Sequence, residues 1–365
     1  MYNGKKILVT GGTGSFGHYI VKELTKKNAG EIRIFSRDEK KQDDMRYEFR
    51  NHANLRFIIG DVRDRTSLKG AVKGVDYIFH AAALKQVPSC EYNVFEAVQT
   101  NIIGAKNLID IAIDERVKKV IAISTDKAVK PVNSMGMTKA LQEKLMIWGN
   151  LNRNGSETVF AAVRYGNVVG SRGSVIPLFK KQIEEGGPLT VTDPEMTRFV
   201  LTLDQAVKLV FKAAEEATGG EIFVMKIPAI RIGELANIML RKIPEWSRPE
   251  IRIAGIRPGE KIHEVLVSEE EATRTIDLGE FYCILPALEI EATRIKYMSY
   301  GHSNICEYTS GNTTIYSSEE LGKLLLAEGW MPSVHSKVKL NRLPEFGNEK
   351  PIENGIGIME EMVLL

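Results

Sequence analysis

Ile7-Leu-Val-Thr-Gly-Gly-Thr-Gly-Ser-Phe-Gly17 decides the fold. A short apolar run, Ile7-Leu-Val9, reads as a strand, and Tyr19-Ile-Val-Lys-Glu-Leu24 reads as the amphipathic helix after it. Between them Gly11, Gly14 and Gly17 stand in a G-x-x-G-x-x-G spacing. Glycines there permit a tight turn and let the backbone approach a pyrophosphate seated on the helix N-terminus. A glycine triplet alone also serves as turn punctuation. Strand before and helix after make this one a dinucleotide-binding loop, with Thr13, Ser15 and Phe16 completing it.

The same alternation continues outward. Ile32–Phe35, Leu55–Ile59, Val75–Phe79, Val117–Ile123 and Thr158–Val163 read as further strands. Helices are expected from about Phe95 to Ala112 and from about Ser134 to Leu151. Strands alternating with helices predict parallel crossovers, hence an α/β doubly wound parallel sheet, Rossmann-like. After about Gly170 the elements shorten: Leu189–Val191, a helix over Gln205–Ala214, Glu221–Val224, and a helix over Ile232–Leu240. The expected organisation is a dinucleotide-binding domain over 1–170, with its sheet completed by later segments. A smaller α/β substrate lobe over 171–330 and an extended tail over 331–365 follow.

Bulk properties narrow the function classes. The 365 residues can bury a large core, and 43% hydrophobic with 26% charged residues is ordinary for a globular chain. A formal net charge of +2 carries no polyelectrolyte signature, so neither nucleic acid nor a membrane surface is implied as partner. Cys90, Cys283 and Cys306 have no metal-ligand spacing and read as reduced thiols. No metal site is expected. No apolar run reaches the roughly 20 residues of a membrane helix, and the expectation is a soluble cytoplasmic protein.

The dinucleotide's ribose is read about 20 residues beyond the loop, past the second strand. The sequence there is Ser36-Arg-Asp-Glu-Lys-Lys41. Arg37 offers a planar fork for a 2′-phosphate, Ser36 a hydroxyl, and Lys40 or Lys41 further charge. Asp38 could instead cap the next helix. These residues favour NADP over NAD. Asp61-Val62 ends the third strand, where a carboxylate reaches the adenine amine. Ala81 and Ala83 are small enough to admit the cofactor at the end of the fourth, and Asn101 sits in the helix beyond.

A second stretch, Ser124-Thr-Asp-Lys-Ala-Val-Lys-Pro-Val-Asn-Ser-Met-Gly-Met-Thr-Lys139, follows the fifth strand, where open parallel sheets bind ligands. Together with the glycine loop and Asp61-Val62, it resembles the extended short-chain dehydrogenase/reductase superfamily over residues from about 5 to 330. Ser124-Thr-Asp-Lys127, His80–Pro88, Arg164–Pro177, Thr197-Arg-Phe199 and Arg257-Pro-Gly-Glu-Lys-Ile-His-Glu264 narrow the resemblance. They are similar to UDP-N-acetylglucosamine 4,6-dehydratases of polysaccharide biosynthesis that also invert carbon 5. One departure from the superfamily stands out. Its Y-x-x-x-K motif reads Met135-Gly-Met-Thr-Lys139 here, and a thioether is neither acid nor base. The methionine form resembles the capsule-type inverting branch.

The resemblance implies an internal hydride cycle on a tightly held NADP: oxidation at carbon 4, loss of water across carbons 5 and 6, and return of hydride to carbon 6. It makes Lys127 the carbon-5 base and Asp126 the acid that expels water. Lys139 would bind the nicotinamide ribose, and Thr125 or Ser124 would bond the 4-oxygen. With Met135 silent, the acceptor of the 4-hydroxyl proton is Lys127, a water, or a relay through Lys139. Their adjacency carries a cost, since an Asp–Lys attraction pushes both pKa values away from base and acid duty. For the UDP-sugar, Lys85, Asn167, Val175, Arg198, Arg257 and Glu260 are the candidate contacts. Taken singly the charged ones read as surface salt bridges. The resemblance also implies a homo-oligomer, with a hexamer as the candidate. Two other readings remain open, a UDP-sugar 4-epimerase and a non-catalytic NADP-binding regulator.

Overall fold

The computed structural model describes residues 1–171 and 173–332. The tail expected over 331–365 therefore lies outside the described residues from 333 onward.

The first half runs β1 (Lys6–Thr10), α1 (Ser15–Thr25), β2 (Glu31–Ser36), α2 (Glu39–Glu48), β3 (Leu55–Ile59), α3 (Arg65–Val72) and β4 (Tyr77–His80). Next come α4 (Val87–Tyr92), α5 (Val94–Ala97), a π-helical stretch over Val98–Ile103, α6 (Gly104–Asp114), β5 (Lys119–Ile123), α7 (Ser134–Leu151) and β6 (Val159–Arg164). Beyond lie β7 (Asn167–Val168), α8 (Val175–Glu184), β8 (Leu189–Val191), β9 (Thr197–Leu201), α9 (Leu203–Glu216), β10 (Ile222–Met225) and β11 (Ala229–Arg231). The rest comprises α10 (Ile232–Leu240), β12 (Ile251–Ile253), β13 (Val265–Val267), α11 (Glu269–Ala272), β14 (Thr275–Asp277), β15 (Phe281–Ile284), α12 (Glu291–Tyr297), β16 (Tyr308–Thr309) and α13 (Ser318–Ala327).

The main sheet has nine strands in the order β14-β15-β10-β6-β5-β4-β1-β2-β3. Strands β1 to β6 and β10 pair in parallel, while β14 and β15 close one edge antiparallel. The chain winds outward from β1 through β2 to β3, then returns to lay β4 on the other side of β1. That reversal opens a crevice at the carboxyl ends of β1 and β4, the place where such sheets bind ligands. The doubly wound α/β expectation agrees with this architecture. Central strands are buried on both faces, as Ile7, Leu8, Val9, Ile78, Phe79, Val120 and Phe160 show.

A second apolar core gathers Phe179, Leu189, Val191, Leu235, Met239, Leu321 and Leu325 beside the sheet. This smaller lobe is thus held by its own burial. The helix expected from Phe95 to Ala112 carries the π-helical stretch in its middle. There the wider turn turns Asn101 inward. Its Oδ1 accepts the Leu84 N–H at 2.8 Å, while its amide donates to the Leu84 carbonyl at 3.0 Å and to Thr138 Oγ1 at 3.0 Å.

Candidate active site

A cavity of about 600 Å³ opens along the crevice, a size suited to a dinucleotide with a small substrate. Its floor is the glycine loop. Gly11 has φ +65, and a Cβ there would stand 2.7 Å from the Ala82 nitrogen. One on Gly17 would stand 2.4 Å from the Gly11 carbonyl oxygen. Only hydrogen side chains let this turn close on β4 and on α1 at once. Thr13, Gly14, Ser15, Phe16, Val62, Ala81 and Ala83 line the same floor. The eleven-residue α1 presents its N-terminus there, which fits an anionic pyrophosphate.

At the ribose end, Thr13 and Ser36 share a 2.8 Å hydroxyl–hydroxyl bond. Asp38 caps α2 by accepting the Lys41 N–H at 2.9 Å, the alternative weighed for it above. Arg37 lines the cavity with its side chain 51% exposed and donates to Asp61 Oδ2 at 3.3 Å. Asp61 is also gripped by Arg63, through the main-chain N–H at 3.0 Å and the guanidinium at 2.7 and 2.9 Å. Burial pushes the Asp61 carboxyl up, but the Arg63 hydrogen bonds and both guanidinium charges outweigh it and hold the pKa low. Lys40 is a correction: it lies off the cavity, exposed and paired with Asp44 within α2, and Lys41 takes the place on the wall. Asn101 is another. Its side chain is spent clamping Leu84, so it shapes the cavity-lining loop instead of facing the cofactor.

The chemistry-bearing end is built by the turn after β5 and the start of α7. Asn133 caps α7, accepting the Gly136 N–H at 2.8 Å. A Cβ on Gly136 would stand 2.2 Å from the Lys127 carbonyl oxygen, so this glycine lets α7 press against the Asp126-Lys127 turn. Asp126 is wholly buried. Its Oδ1 accepts the Thr125 hydroxyl at 2.8 Å and the Lys127 ammonium at 3.3 Å, while its Oδ2 is buried without a partner. Burial raises the Asp126 pKa; the Lys127 charge opposes this and Glu264 adds to it. Burial also works to lower Lys127, but the Asp126 and Glu264 carboxylates outweigh it and the net direction is up.

Met135 sits in the first turn of α7, 3% exposed, packed with Cys90 and Ala97 while still lining the cavity. Lys139 lies one turn on. Its ammonium donates to the Ile123 carbonyl at 2.5 Å and Gln142 Oε1 at 2.7 Å, leaving one of its three donors for a ligand. Burial lowers its pKa to about 8. Ser124 and Thr125 both line the cavity; the Ser124 hydroxyl donates to Glu143 at 2.5 Å and the Thr125 hydroxyl to Asp126 at 2.8 Å.

Of the substrate candidates, Lys85 and Asn167 line the cavity, and Asn167 Oδ1 is buried without a partner. Val175 begins α8 just behind the cavity-lining Ser174. Arg198 is internal instead: its side chain is 8% exposed and donates to the Thr197 and Ile262 carbonyls, with Nε 3.9 Å from Glu264. Arg257 and Glu260 lie off the cavity wall, joined by a 3.1 Å bond from the Arg257 N–H to the Glu260 carboxylate. That turn docks on the stretch between β5 and α7, since Asn133 donates to the Gly259 carbonyl at 2.9 Å and Lys261 to the Val129 carbonyl at 2.6 Å.

Glu264 is the residue sequence reasoning missed. It is 3% exposed and stands 3.1 Å from the Lys127 ammonium. It stood in the Arg257–Glu264 motif, but nothing in the spacing tied it to a lysine so far away in the chain. No group of three or more candidate metal ligands occurs among the described residues.

A doubly wound sheet with a glycine loop on its switch point, and a buried carboxylate–ammonium pair facing the same cavity, defines a dinucleotide-type α/β chain. It belongs to the polysaccharide biosynthesis protein family, whose model matches residues 7–286. It is 48% identical over 333 residues to a protein of Rickettsia typhi named UDP-glucose 4-epimerase, covering 89% of this chain and 96% of that one. A protein of Methanocaldococcus jannaschii described as an uncharacterized membrane protein is 51% identical over 290 residues, 78% of this chain and 87% of its own. Among the described residues here, no helix is long and apolar enough to cross a membrane. The solved structure of Pen from Bacillus thuringiensis superposes with a TM-score of 0.84 at 39% identity, covering 90% of this chain and 99% of that one.

Proposed function

We propose that this protein is an NADP-dependent 4,6-dehydratase of UDP-N-acetylglucosamine, inverting carbon 5. The product is a UDP-2-acetamido-2,6-dideoxy-4-keto-hexose for surface polysaccharide synthesis. The observation that carries the reading is the Asp126–Lys127 pair at 3.3 Å on the cavity wall, beside Met135 where a proton-accepting tyrosine would stand.

The glycine floor, Ser36 and Arg37 suit a nicotinamide dinucleotide, with Arg37 reading a 2′-phosphate. When bound, the nicotinamide supplies reversible hydride transfer. The chain's own residues do the rest. Thr125, whose hydrogen goes to Asp126, accepts from the 4-hydroxyl, and the Lys139 cation grips the ribose and favours loss of the 4-hydroxyl proton to Lys127, a water, or a relay through Lys139. Once carbon 4 is a ketone, the carbon-5 proton is acidic. Neutral Lys127 takes it while protonated Asp126 gives its proton to the departing 6-oxygen. Full burial of Asp126 and partial burial of Lys127 limit competition from bulk water for those protons. Lys85 and Asn167 are the polar groups placed to orient the sugar and diphosphate. The reading carries with it a cytoplasmic homo-oligomer.

A 4-epimerase is the second reading, favoured by the name that the Rickettsia relatives bear. It asks for a group that reversibly takes the 4-hydroxyl proton, and Met135 offers none. The test is the product mass from UDP-N-acetylglucosamine: the dehydratase product is lighter by one water, and the epimerase product keeps the substrate's mass.

A further inference from the structure

Met135 denies the site the phenol of a Y-x-x-x-K motif, yet a different phenol stands on the cavity wall. Tyr165 directly follows β6 and is 8% exposed; among the described residues it is the one tyrosine lining the cavity. The Asp126 N–H donates to its carbonyl at 3.3 Å, so its backbone runs beside the Asp126-Lys127 turn. On the other side its ring stands 6.2 Å from that of Phe16 in the glycine loop. The side chain thus lies between the cofactor floor and the acid–base pair. Its hydroxyl bonds no group among the described residues. A buried tyrosine ordinarily gives its O–H to a partner. Asn167 Oδ1 is enclosed without a partner; Tyr165 Oη is not enclosed, and the space it borders is the cavity.

The other hydrogens around the reacting carbons are already committed. Thr125 gives its own to Asp126 at 2.8 Å, and Ser124 gives its own to Glu143 at 2.5 Å. Lys139 spends two N–H groups on Ile123 and Gln142, and the third serves the ribose. Met135 has none to give. A 4-hydroxyl can donate into this wall, through Thr125. A 4-ketone cannot, and it needs a donor aimed at it.

We propose that Tyr165 is a further catalytic residue of the dehydration, whose phenol donates a hydrogen bond to the 4-oxygen once carbon 4 is oxidised. As the carbon–hydrogen bond at carbon 5 breaks towards the Lys127 nitrogen, its electron pair moves between carbons 4 and 5. Negative charge then builds on the 4-oxygen, where a fixed donor in a dry site is worth most. The Asp126 proton joins the 6-oxygen, the carbon–oxygen bond breaks, and the pair moves on between carbons 5 and 6. The ketone is restored and water leaves. Hydride then returns to carbon 6 and a proton to carbon 5. Tyr165 keeps its own proton throughout. Burial raises its pKa with no neighbouring charge contributing, which makes it a neutral donor and a poor acid. It therefore leaves the acceptor of the 4-hydroxyl proton as it stood. The inference rests on the dehydratase reading and adds the group that carries the oxyanion.

The experiment is Tyr165→Phe, which removes one oxygen and keeps the ring against Phe16. That oxygen bonds nothing in the fold, so the melting temperature and NADP affinity should match those of the wild type. The kcat for water loss from UDP-N-acetylglucosamine should fall about 100-fold, the cost of one oxyanion donor, with KM within about twofold. Hydride should still leave carbon 4, because that step builds less charge on the oxygen. Reduced nicotinamide should therefore accumulate on the variant after mixing, read by its absorbance, while deuterium enters carbon 5 slowly. A wild-type protein that releases no water overturns the dehydratase reading and this inference with it. With an active wild type, four results overturn the inference alone: water loss by the variant within about threefold of normal, a change confined to KM, a loss of NADP or of melting temperature, or a slow variant without reduced nicotinamide.

Discussion

Lys127 Nζ lies 3.3 Å from Asp126 Oδ1 on a turn where the aspartate has no exposure to solvent. Burial of that kind separates this pair from an ordinary surface salt bridge, which would be screened and worth little. Replacing Lys127 with Met keeps the bulk of the side chain and removes the base. Turnover should fall below detection while NADP stays bound, because the glycine floor and Lys139 are untouched. Retained dehydration in that variant would remove Lys127 from the chemistry.

Arg37 and Asp61 face each other at 3.3 Å at the adenosine end. Breaking that contact frees the guanidinium for a bidentate phosphate bond, the stronger kind of charge-assisted pair. Arg37→Ala should therefore weaken NADP about tenfold or more and leave NAD nearly unchanged, a loss of roughly 1.5–3 kcal/mol in line with charged hydrogen bonds. Titration of the two cofactors against wild type and variant gives the ratio. Equal losses for both would mean that Arg37 does not read the 2′-phosphate.

Arg164 ends β6 buried between two carboxylates, 2.6 Å from Glu143 and 2.7 Å from Glu271. Ser124 joins the same network through Glu143 at 2.5 Å, so the ion cluster braces the turn after β5 from behind. Arg164→Met should cost about 3–5 kcal/mol, because it strands two buried anions. Denaturant unfolding measures it, and a loss under about 1 kcal/mol would show that the pair was already hydrated.

His80 ends β4 fully buried, its Nδ1 bonded to Thr10 Oγ1 at 2.7 Å and its Nε2 without a partner. Burial, with Lys139 adding charge repulsion, lowers its pKa from 6.5 to about 3. The unfolded chain therefore binds more protons than the folded one between those two values. Stability should be fully present above pH 6.5 and fall with acid across that window, at up to about 1.4 kcal/mol per pH unit. Glu271, held down to about 2 by Arg164 against the push of burial, adds the same sign of loss below pH 4.5. His80→Asn should flatten the upper part of the curve between pH 6.5 and 4.5, leaving the lower part. Parallel curves for the two proteins would show that His80 is protonated in the folded state.

What was legible in the sequence follows from range. The strand–glycine–helix unit, the alternation through β6 and the Ser134–Leu151 helix are written in local spacing; the structure reproduces the strands and that helix within a residue or two and starts the first helix four residues early, at Ser15. Asp126, Lys127, Met135 and Lys139 share one turn and one helix start, so their proximity could be read from adjacent positions. Glu264 could not. It reaches Lys127 because β13 and the Arg257–Glu264 turn fold back on the catalytic stretch through Gly259 and Lys261, a contact that no local period encodes. Arg198 misled for the same reason: an arginine amid apolar neighbours suggests an anion, and its anion proved to be internal. Asn101 was hidden by the π-helical turn, since a regular helix would have set its side chain at a different angle.

The most direct measurement is the reaction of the NADP-loaded protein with UDP-N-acetylglucosamine in heavy water, with the product read by mass spectrometry and proton NMR. The account predicts a product that has lost one water and carries deuterium at carbon 5, with a new methyl group at carbon 6. A product of unchanged elemental composition, differing only in configuration at carbon 4 and free of deuterium at carbon 5, would contradict it.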